Sequence, residues 1–410
     1  MKKSIFFFPL LLCFQFVQSQ RIVSDNLIPH IAYLSADAQH GRATGTIDEL
    51  KVAQYIAGRF EDLGLKPKGS KGYYYDFTYK YNPDPSDTLT KIKSKKGRNV
   101  LAYLDNDAPY TIVIGAHHDH LGMGYDHNSL DANPKGKIHN GADDNASGVA
   151  GVIELARYLS INGIQEKYNF LFMTFSGEEL GLIGSKRWCE KPTIPLDKIN
   201  YMINLDMIGR FNDTTKKLLV YGLGTSSSWE SALAKTNTYF SIKSDSAGIG
   251  PSDHTSFYLK DIPVLHFFTG QHGDYHRPTD DEDKLNLKGE ARILELIVDL
   301  IHELNEQPKL SFYKTKSPEG ETKKMSFKVT LGVMPDYTFD GVGMRLDGVT
   351  NNKPAEKAGL QRGDIILKMA GQTIKSVQDY MKVLKTLKSG DKVPVHFMRN
   401  QTVQTVDINL

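Results

Sequence analysis

The chain has 410 residues, of which 40% are hydrophobic and 24% are charged, with 35 Gly and 17 Pro. These values are ordinary for globular proteins and exclude a disordered, collagen-like or disulfide-scaffold protein. The formal net charge is only +2, so the composition gives no sign of a nucleic-acid-binding surface. The length predicts about two to four domains.

The first residues have the composition of a secretory signal peptide. Two lysines precede an apolar run from Ile5 to Val17, and Ser19 is a small residue at the expected cleavage point. The run is too short to span a bilayer, and no other segment is apolar enough to be a transmembrane segment. We expect residues 1–19 to be removed on export to the periplasm, the cell surface or the medium. Cys13 would be lost with them, so Cys189 would have no disulfide partner.

Residues 20–307 alternate between strand and helix patterns. Continuous apolar strands separated by amphipathic helices are typical of a mostly parallel sheet with helices on both faces, so we predict an α/β fold. The predicted strands are Tyr110–Ala116, Asn169–Phe175, Tyr201–Leu205, Leu218–Tyr221 and Ile262–Phe268. The predicted helices are Ala146–Leu159, Leu180–Cys189, Ser228–Thr236, Ser252–Leu259 and Leu287–Leu304.

The pattern changes after this domain. Residues 308–324 contain Pro, Gly, Ser, Lys and Glu without periodicity, which indicates a linker. Residues 325–410 then form a small β-rich second domain. Its predicted strands are Phe327–Val333, Gly341–Val349, Ile365–Met369, Lys392–Phe397 and Thr402–Ile408, and its predicted helices are Ala355–Leu360 and Val377–Leu387.

Polar residues follow the predicted strands at the points where these strands end. His117 and Asp119 follow the first strand, Glu178 and Glu179 the second, Asp206 the third, and the loop Asp274–His276 follows the last. Asp144 lies at the start of the helix after the first strand. Ligands bind at the carboxyl ends of parallel strands, so these side chains should meet at one edge of the sheet.

Such a cluster indicates a metal site. Carboxylates crowded on one edge would raise one another's pKa, and a divalent cation removes that cost. Imidazole and carboxylate ligands without a thiolate suit Zn²⁺, with Mn or Co as substitutes. Two His and three carboxylates exceed one tetrahedral zinc, so a carboxylate shared by two ions fits better.

Five segments of the first domain resemble the motifs of co-catalytic di-zinc aminopeptidases of the aminopeptidase S and aminopeptidase Y type, and Leu34–Gly45 resembles their N-terminal motif. The match implies the zinc exopeptidase fold and a secreted zinc exopeptidase acting on peptide or protein N-termini. The segments are GAHHDHLG (115–122), NGADDNASG (140–148), FSGEELGLIGS (175–185), NLDMIGR (204–210) and DYHRPTDD (274–281).

The resemblance also assigns roles to individual residues. It implies that Asp144 bridges two zinc ions, that His117 and Asp206 complete the ligands of one ion, and that Glu179 and His276 complete those of the other. It further implies three catalytic roles: Glu178 as the general base that activates the metal-bridging water, Asp119 as the carboxylate that orients a ligand imidazole, and Tyr275 as a phenol that binds the oxyanion. The family has a cis Asp144–Asn145 peptide.

Other polar residues near the motifs have no assigned ligand role. Asp143 is interpreted as structural, Asp253 as either a contact for the substrate amine or a helix cap, and Arg210 as a structural ion pair rather than a substrate contact. Cys189 is interpreted as a small buried hydrophobe. The histidines that we do not predict as ligands are His118, His120, His127, His139 and His272.

The second domain resembles PDZ domains of the bacterial type. The resemblance rests on LGVMPDY (331–337), DGVGMRLDGV (340–349) and KPAEKAGLQRGDIILKMAG (353–371). It implies that an extended peptide binds along a strand edge, with its carboxylate at the Leu331–Gly332–Val333 turn or, as second choice, at Gly341–Met344. The alternative is a domain that only packs on the catalytic unit.

The favoured function is therefore a secreted zinc aminopeptidase. A glutaminyl cyclase or a glutamate carboxypeptidase-like enzyme on the same fold is the first alternative, and the five-ligand set argues against the one-zinc cyclase. A catalytically inactive peptide-binding protein is the second alternative, and the complete set of ligands and base disfavours it.

Overall fold

The computed structural model of the chain describes residues 22–81, 93–126, 128–315, 329–335, 339, 341–349, 353–375 and 377–410. The predicted signal peptide and His127 lie outside these residues. The described residues form two sheets, and each sheet has hydrophobic clusters of its own. Within the described ranges, no helix combines the length and the apolar character needed to cross a membrane.

The first domain alternates strands and helices, as predicted. Its strands are β1 (Lys66–Pro67), β2 (Tyr74–Tyr81), β3 (Lys93–Leu104), β4 (Thr111–His117), β5 (Asn169–Phe175), β6 (Ile199–Leu205), β7 (Lys217–Tyr221), β8 (Ser241–Asp245) and β9 (Val264–Phe268). Its α-helices are α1 (Ile28–Leu34), α2 (Ile47–Asp62), α3 (Gly148–Ile161), α4 (Ile183–Glu190), α5 (Ser228–Thr236), α6 (His254–Tyr258) and α7 (Leu287–Leu304).

The sheet has the order β1-β3-β5-β4-β6-β9-β7-β8, and β2 pairs with β3. Its centre, from β5 through β4 and β6 to β9, is parallel, whereas β3 and β7 join it antiparallel. All residues of β4, β5 and β6 are buried, which explains why these strands are continuous apolar runs. The predicted α/β fold with a mostly parallel sheet is confirmed.

Helices cover both faces of the sheet. Alternate side chains of a strand point to opposite faces, and β4 shows this directly: Ile112 and Ile114 belong to one hydrophobic cluster and Val113 to the other. The first cluster includes residues of α1, α2, α3, α5 and α7, and the second includes Trp188 of α4 and Phe257 of α6. The carboxyl ends of the central strands are therefore held by packing on two sides.

The second domain is a separate antiparallel sheet in the order β10-β11-β12-β14-β15, with β13 paired to β12. Its hydrophobic cluster includes the buried Leu331, Ile366 and Val395 and shares no residue with the first domain. Its elements are β10 (Val333–Pro335), β11 (Met344–Val349), α8 (Pro354–Lys357), β12 (Ile365–Met369), β13 (Gln372–Thr373), α9 (Val377–Leu384), β14 (Lys392–Arg399) and β15 (Thr402–Asn409).

A reciprocal cap starts α2, close to the edge of the sheet that carries the predicted site. The Thr46 side chain accepts a hydrogen bond from the Glu49 backbone N–H at 3.2 Å, and Glu49 Oε2 accepts one from the Gly45 N–H at 2.6 Å. Glu49 is fully buried, and its Oε1 makes no hydrogen bond. Burial raises the pKa of Glu49 from 4.5 to about 8.

We predict that Glu49→Gln flattens the dependence of stability on pH. The folded-state pKa of Glu49 exceeds its unfolded value, so its contribution is complete below pH 4.5 and is lost as the pH rises to about 8. Glutamine keeps the acceptor for Gly45 but does not titrate. Urea unfolding at pH 5 and pH 8 should show a difference in unfolding free energy that is smaller in the variant by on the order of 2–4 kcal/mol.

The exposed Glu61 on the same helix provides the control. A Glu61→Gln variant should follow the wild-type dependence on pH. If the unfolding free energy changes equally with pH in the wild type and in Glu49→Gln, Glu49 is ionised in the folded protein.

Candidate metal centre

The predicted ligands all lie at one edge of the first sheet. His117 is the last residue of β4, Asp206 directly follows β6, and Glu179 lies in the loop after β5. Asp144 lies in the turn Ala142–Ser147, which leads into α3, and its peptide bond to Asn145 is cis. His276 comes from the loop after β9. The structure thus brings together five side chains that are scattered over the sequence.

Asp144 lies between two groups of ligand atoms. On one side, His117 Nε2 is 3.3 Å from Asp144 Oδ1 and 3.3 Å from Asp206 Oδ1. On the other side, His276 Nε2 is 3.2 Å from Asp144 Oδ2 and 3.1 Å from Glu179 Oε2. One carboxylate oxygen therefore faces each group, which is the arrangement that a shared carboxylate needs.

His120, which sequence reasoning did not name as a ligand, is also part of the second group. Its Nδ1 is 2.7 Å from Glu179 Oε1 and 3.8 Å from Asp144 Oδ2. The His120 and His276 rings meet edge-on, with centroids 6.0 Å apart. His120 and His276 therefore hold opposite oxygens of Glu179. The sequence signal that could have identified His120 is its position three residues after His117, just beyond the end of β4.

The chemistry of these residues fits a divalent cation. Burial acts to raise the pKa of Asp144, but the imidazoles of His120, His117 and His276 outweigh it and hold that pKa well below its ordinary value. Asp144 Oδ2 is buried and makes no hydrogen bond, although imidazoles lie beside it. Nitrogen and oxygen ligands in this mixture suit zinc.

Glu178 and Glu179 are sequence neighbours with different surroundings. Glu179 belongs to the second group, whereas Glu178 faces the cavity, with its Oε2 4.0 Å from His117 Nε2. Burial raises the pKa of Glu178, and the carboxylates of Asp206 and Glu179 raise it further, so it lies well above its ordinary value despite His117. A carboxyl group with a high proton affinity therefore borders the two ligand groups.

Asp119 connects several of these parts, but not through the predicted carboxylate–imidazole contact alone. His117 Nδ1 is 3.1 Å from the Asp119 backbone oxygen and 3.7 Å from its carboxylate. The carboxylate instead accepts hydrogen bonds from the Thr44 hydroxyl at 2.7 Å and from the Glu178 backbone N–H at 3.2 Å. Asp119 therefore orients His117 mainly through its backbone and fixes the position of Glu178.

Two residues to which the sequence assigned no role hold the turn around Asp144. Asp280 Oδ2 accepts hydrogen bonds from the backbone N–H groups of Asp143 and Asp144, both at 3.0 Å. The buried Arg42 donates to the backbone oxygens of Gly141 at 2.7 Å and Asp144 at 3.3 Å. Both lie inside the recognised motifs, but only the folded chain shows what they contact.

Most of the remaining candidates have structural partners. Arg210 pairs with Asp274 at 3.1 Å, as predicted, and His272 lies 3.1 Å from Asp143 Oδ2. Asp253 is completely buried, and burial raises its pKa to about 7. The Cys189 thiol is buried, and burial raises its pKa as well.

A cavity of about 300 Å³ opens beside the two ligand groups. Tyr275 lines it, and the Tyr275 ring stacks on His276 with centroids 3.9 Å apart. Its lining combines carboxylates with apolar side chains and, among the described residues, contains no lysine or arginine. The other lining residues are His117, Leu130, Asp144, Glu178, Asp206, Met207, Pro251, His266, Phe268, Gln271, His276, Val333 and Pro335.

Comparison with protein families identifies two domains. Residues 99–301 match the model of peptidase family M28, and residues 326–410 match that of the PDZ domain. The alkaline phosphatase isozyme conversion protein of Escherichia coli is 31% identical over 40% of this chain and 46% of its own length. Aminopeptidase YwaD of Bacillus subtilis is 28% identical over 46% of this chain and 42% of its own length. The chain thus spans less than half the length of these two relatives.

Solved structures show the same fold. A zinc aminopeptidase from Bacillus subtilis, BSAP, superposes with a TM-score of 0.54 at 18% identity, covering 72% of this chain and 99% of that one. A glutaminyl cyclase from Bacteroides thetaiotaomicron also gives 0.54 at 18% identity, covering 69% and 99%. The fold, the ligand chemistry and the family match agree: the chain contains a domain of peptidase family M28, a family of zinc metallopeptidases, followed by a PDZ domain.

Proposed function

We propose that the protein is an exported aminopeptidase that uses two zinc ions. The observation that carries this proposal is the position of Asp144 between two ligand groups, with Glu178 beside them at the cavity. His117 and Asp206 would hold one ion with Asp144, and Glu179 and His276 the other. Export rests on the predicted signal peptide, residues 1–19. The proposed domains are the peptidase, residues 20–307, a linker over 308–324 and the PDZ domain, residues 325–410.

The chain's own residues account for the proton transfers of peptide hydrolysis. Zinc, when bound, supplies Lewis acidity for the attacking water and the scissile carbonyl. The Glu178 carboxylate accepts a proton from that water and then donates it to the leaving amine. The Tyr275 hydroxyl donates a hydrogen bond to the oxyanion.

The lining of the cavity favours an N-terminal over a C-terminal substrate residue. The Glu178 carboxylate, which is not one of the proposed zinc ligands, can accept a hydrogen bond from the ammonium group of a peptide N-terminus. A cation would favour recognition of a C-terminal carboxylate beside the scissile bond, and no lysine or arginine is among the described lining residues of this cavity. The apolar part of the lining, Leu130, Met207 and Phe268, suits an apolar side chain.

Glutaminyl cyclisation is the second candidate because one solved structure of the same fold is a glutaminyl cyclase. The two ligand groups argue for two ions and hydrolysis, since each group has its own histidine and carboxylate beside Asp144: His117 and Asp206 on one side, Glu179 and His276 on the other. Metal content and products distinguish the two reactions.

We predict that the purified protein binds two zinc ions per chain and that His117→Ala binds about one. Removal of His117 leaves one ligand group with only carboxylates, while the Glu179–His276 group stays intact. Inductively coupled plasma mass spectrometry after dialysis measures the ratio. His396→Ala in the PDZ domain is the matched control and should keep two ions. One zinc in the wild type would contradict the shared role of Asp144.

We predict that Glu178→Gln keeps both zinc ions but lowers kcat by at least about 1000-fold, since glutamine cannot accept the proton. Hydrolysis of an aminoacyl-anilide and metal content are measured on the same sample. Glu190→Gln, a change of an exposed glutamate that pairs with Arg187 on the surface, should retain wild-type turnover. Full turnover by Glu178→Gln would refute the assignment of the base.

We predict that the wild type releases N-terminal residues from leucyl-, methionyl- and phenylalanyl-anilides. An N-terminal glutaminyl peptide should lose glutamine rather than form pyroglutamate. Mass spectrometry separates these products, because cyclisation releases ammonia and leaves the peptide bonds intact. Formation of pyroglutamyl peptide without release of an amino acid would establish the cyclase instead.

A further inference from the structure

The edge of the PDZ sheet lies at the active-site cavity. Val333 and Pro335 of β10 line the same cavity as His117 and Glu178. A second cavity, of about 240 Å³, is also lined by both domains and shares Leu130 and Tyr275 with the first. The two domains therefore meet at the entrance to the candidate metal centre, and the cavity has walls from both.

The strand β10 has a free edge among the described strands. It pairs antiparallel with β11, with Val333 opposite Val349, and with no other described strand. A strand edge of this kind can accept an extended peptide through backbone hydrogen bonds. Val333 and Pro335, the first and last residues of this three-residue strand, both line the cavity. The part of β10 that contacts the cavity is thus the part that a bound peptide would follow.

The turn before β10 is built to present backbone N–H groups to oxygen. Gly332 has a φ of +74°, which favours glycine, and its N–H donates to the Thr330 hydroxyl oxygen at 3.0 Å. Leu331 is buried, and its backbone oxygen accepts a hydrogen bond from the Ala355 N–H at 2.9 Å. A carboxylate is a stronger acceptor than a hydroxyl and can replace the Thr330 oxygen.

The direction of the strand determines the direction of the peptide. In antiparallel addition, the peptide's C-terminus lies beside the start of β10, at the Leu331–Gly332 turn. Its chain then runs toward Pro335, and Pro335 lines the metal cavity. The N-terminus of the peptide is therefore directed to the cavity beside the candidate metal centre.

Two arginines lie near the expected position of the peptide's carboxylate. The adjoining cavity is lined by Arg277 of the peptidase domain and Arg362 of the PDZ domain. A peptide with two free ends has a positive N-terminus and a negative C-terminus. The positive charges therefore lie near the PDZ domain, where the carboxylate would be held.

We propose that the PDZ domain and the metal centre bind the two ends of one substrate, a short peptide whose carboxylate lies at the Leu331–Gly332 turn and whose N-terminus lies in the cavity. This inference rests on the proposed aminopeptidase function and adds the substrate class. The three peptide residues that pair with β10 would span about 10 Å. One connecting residue and the residue to be cleaved would extend beyond the end of β10 toward the metal centre. The preferred length is therefore about four to six residues.

The test compares peptides of two to ten residues that share a leucine N-terminus, each as the free acid and as the C-terminal amide. Release of leucine gives kcat/KM. For four to six residues, the full-length enzyme should prefer the free acid by at least about 10-fold, since hydrogen bonds to a charged group contribute about 1.5–3 kcal/mol. Equal rates for acids and amides at every length would overturn the proposal.

A pair of glycine variants tests the turn itself. Gly332→Val should abolish the preference for the free acid because a β-branched residue is strained at this φ and displaces the N–H. Gly371→Val is the matched control, since Gly371 has a φ of +78° in a turn of the same domain and no atom near its missing side chain. It should keep the preference. A Gly332→Val enzyme that still prefers the acid would contradict the assigned turn.

Two further results separate this inference from the function on which it rests. Hydrolysis of leucyl-anilide by the wild type tests the peptidase site without a peptide C-terminus. If the anilide is cleaved and the free-acid and amide peptides have equal kcat/KM, only the two-ended binding is wrong. If the anilide is not cleaved, the proposed function fails and the inference fails with it. Faster cleavage of every peptide by Gly332→Val would show that the PDZ domain only obstructs the cavity, which overturns the proposal.

Discussion

The candidate site depends on the orientation of one carboxylate, that of Asp144, whose two oxygens face different groups of side chains. Asp144 has an oxygen near His117 on one side and an oxygen near His276 on the other, so a rotation of its side chain would disrupt both groups. The backbone around it is held by Asp280 from one side and by Arg42 from the other, and both of these side chains are themselves buried. Preorganisation of the site is therefore distributed over distant parts of the chain.

The same arrangement explains why the site lies where it does. Several carboxylates in a buried place repel one another, and their ionised forms are favoured only where opposite charge lies within a few ångströms. Imidazoles at the ends of β4 and β9 provide part of that charge, and a divalent cation would provide the rest. The strands below are buried along their whole length, so the edge that carries these groups has little freedom to relax.

The sequence predicted the parts of the fold that depend on local pattern. The bounds of α5, α7 and β12 agree with the prediction, and the continuous apolar strands identified the parallel centre. The strands β2 and β3 were not predicted. β3 begins with four polar or basic residues before Gly97, and the alternation of aromatic and polar residues in β2 is a strand pattern that was overlooked. The contacts of His120 depend on how the chain turns after β4, and no periodicity encodes that turn.

The two domains have hydrophobic clusters with no residue in common, and this separation has an evolutionary consequence. Changes along the edge of the smaller sheet alter the wall of the cavity without disturbing the packing that positions the proposed metal ligands. Selection can therefore change which molecules reach the candidate metal centre while leaving the chemical step intact. In a modular fold of this kind, substrate access to the cavity and the catalytic groups can evolve separately.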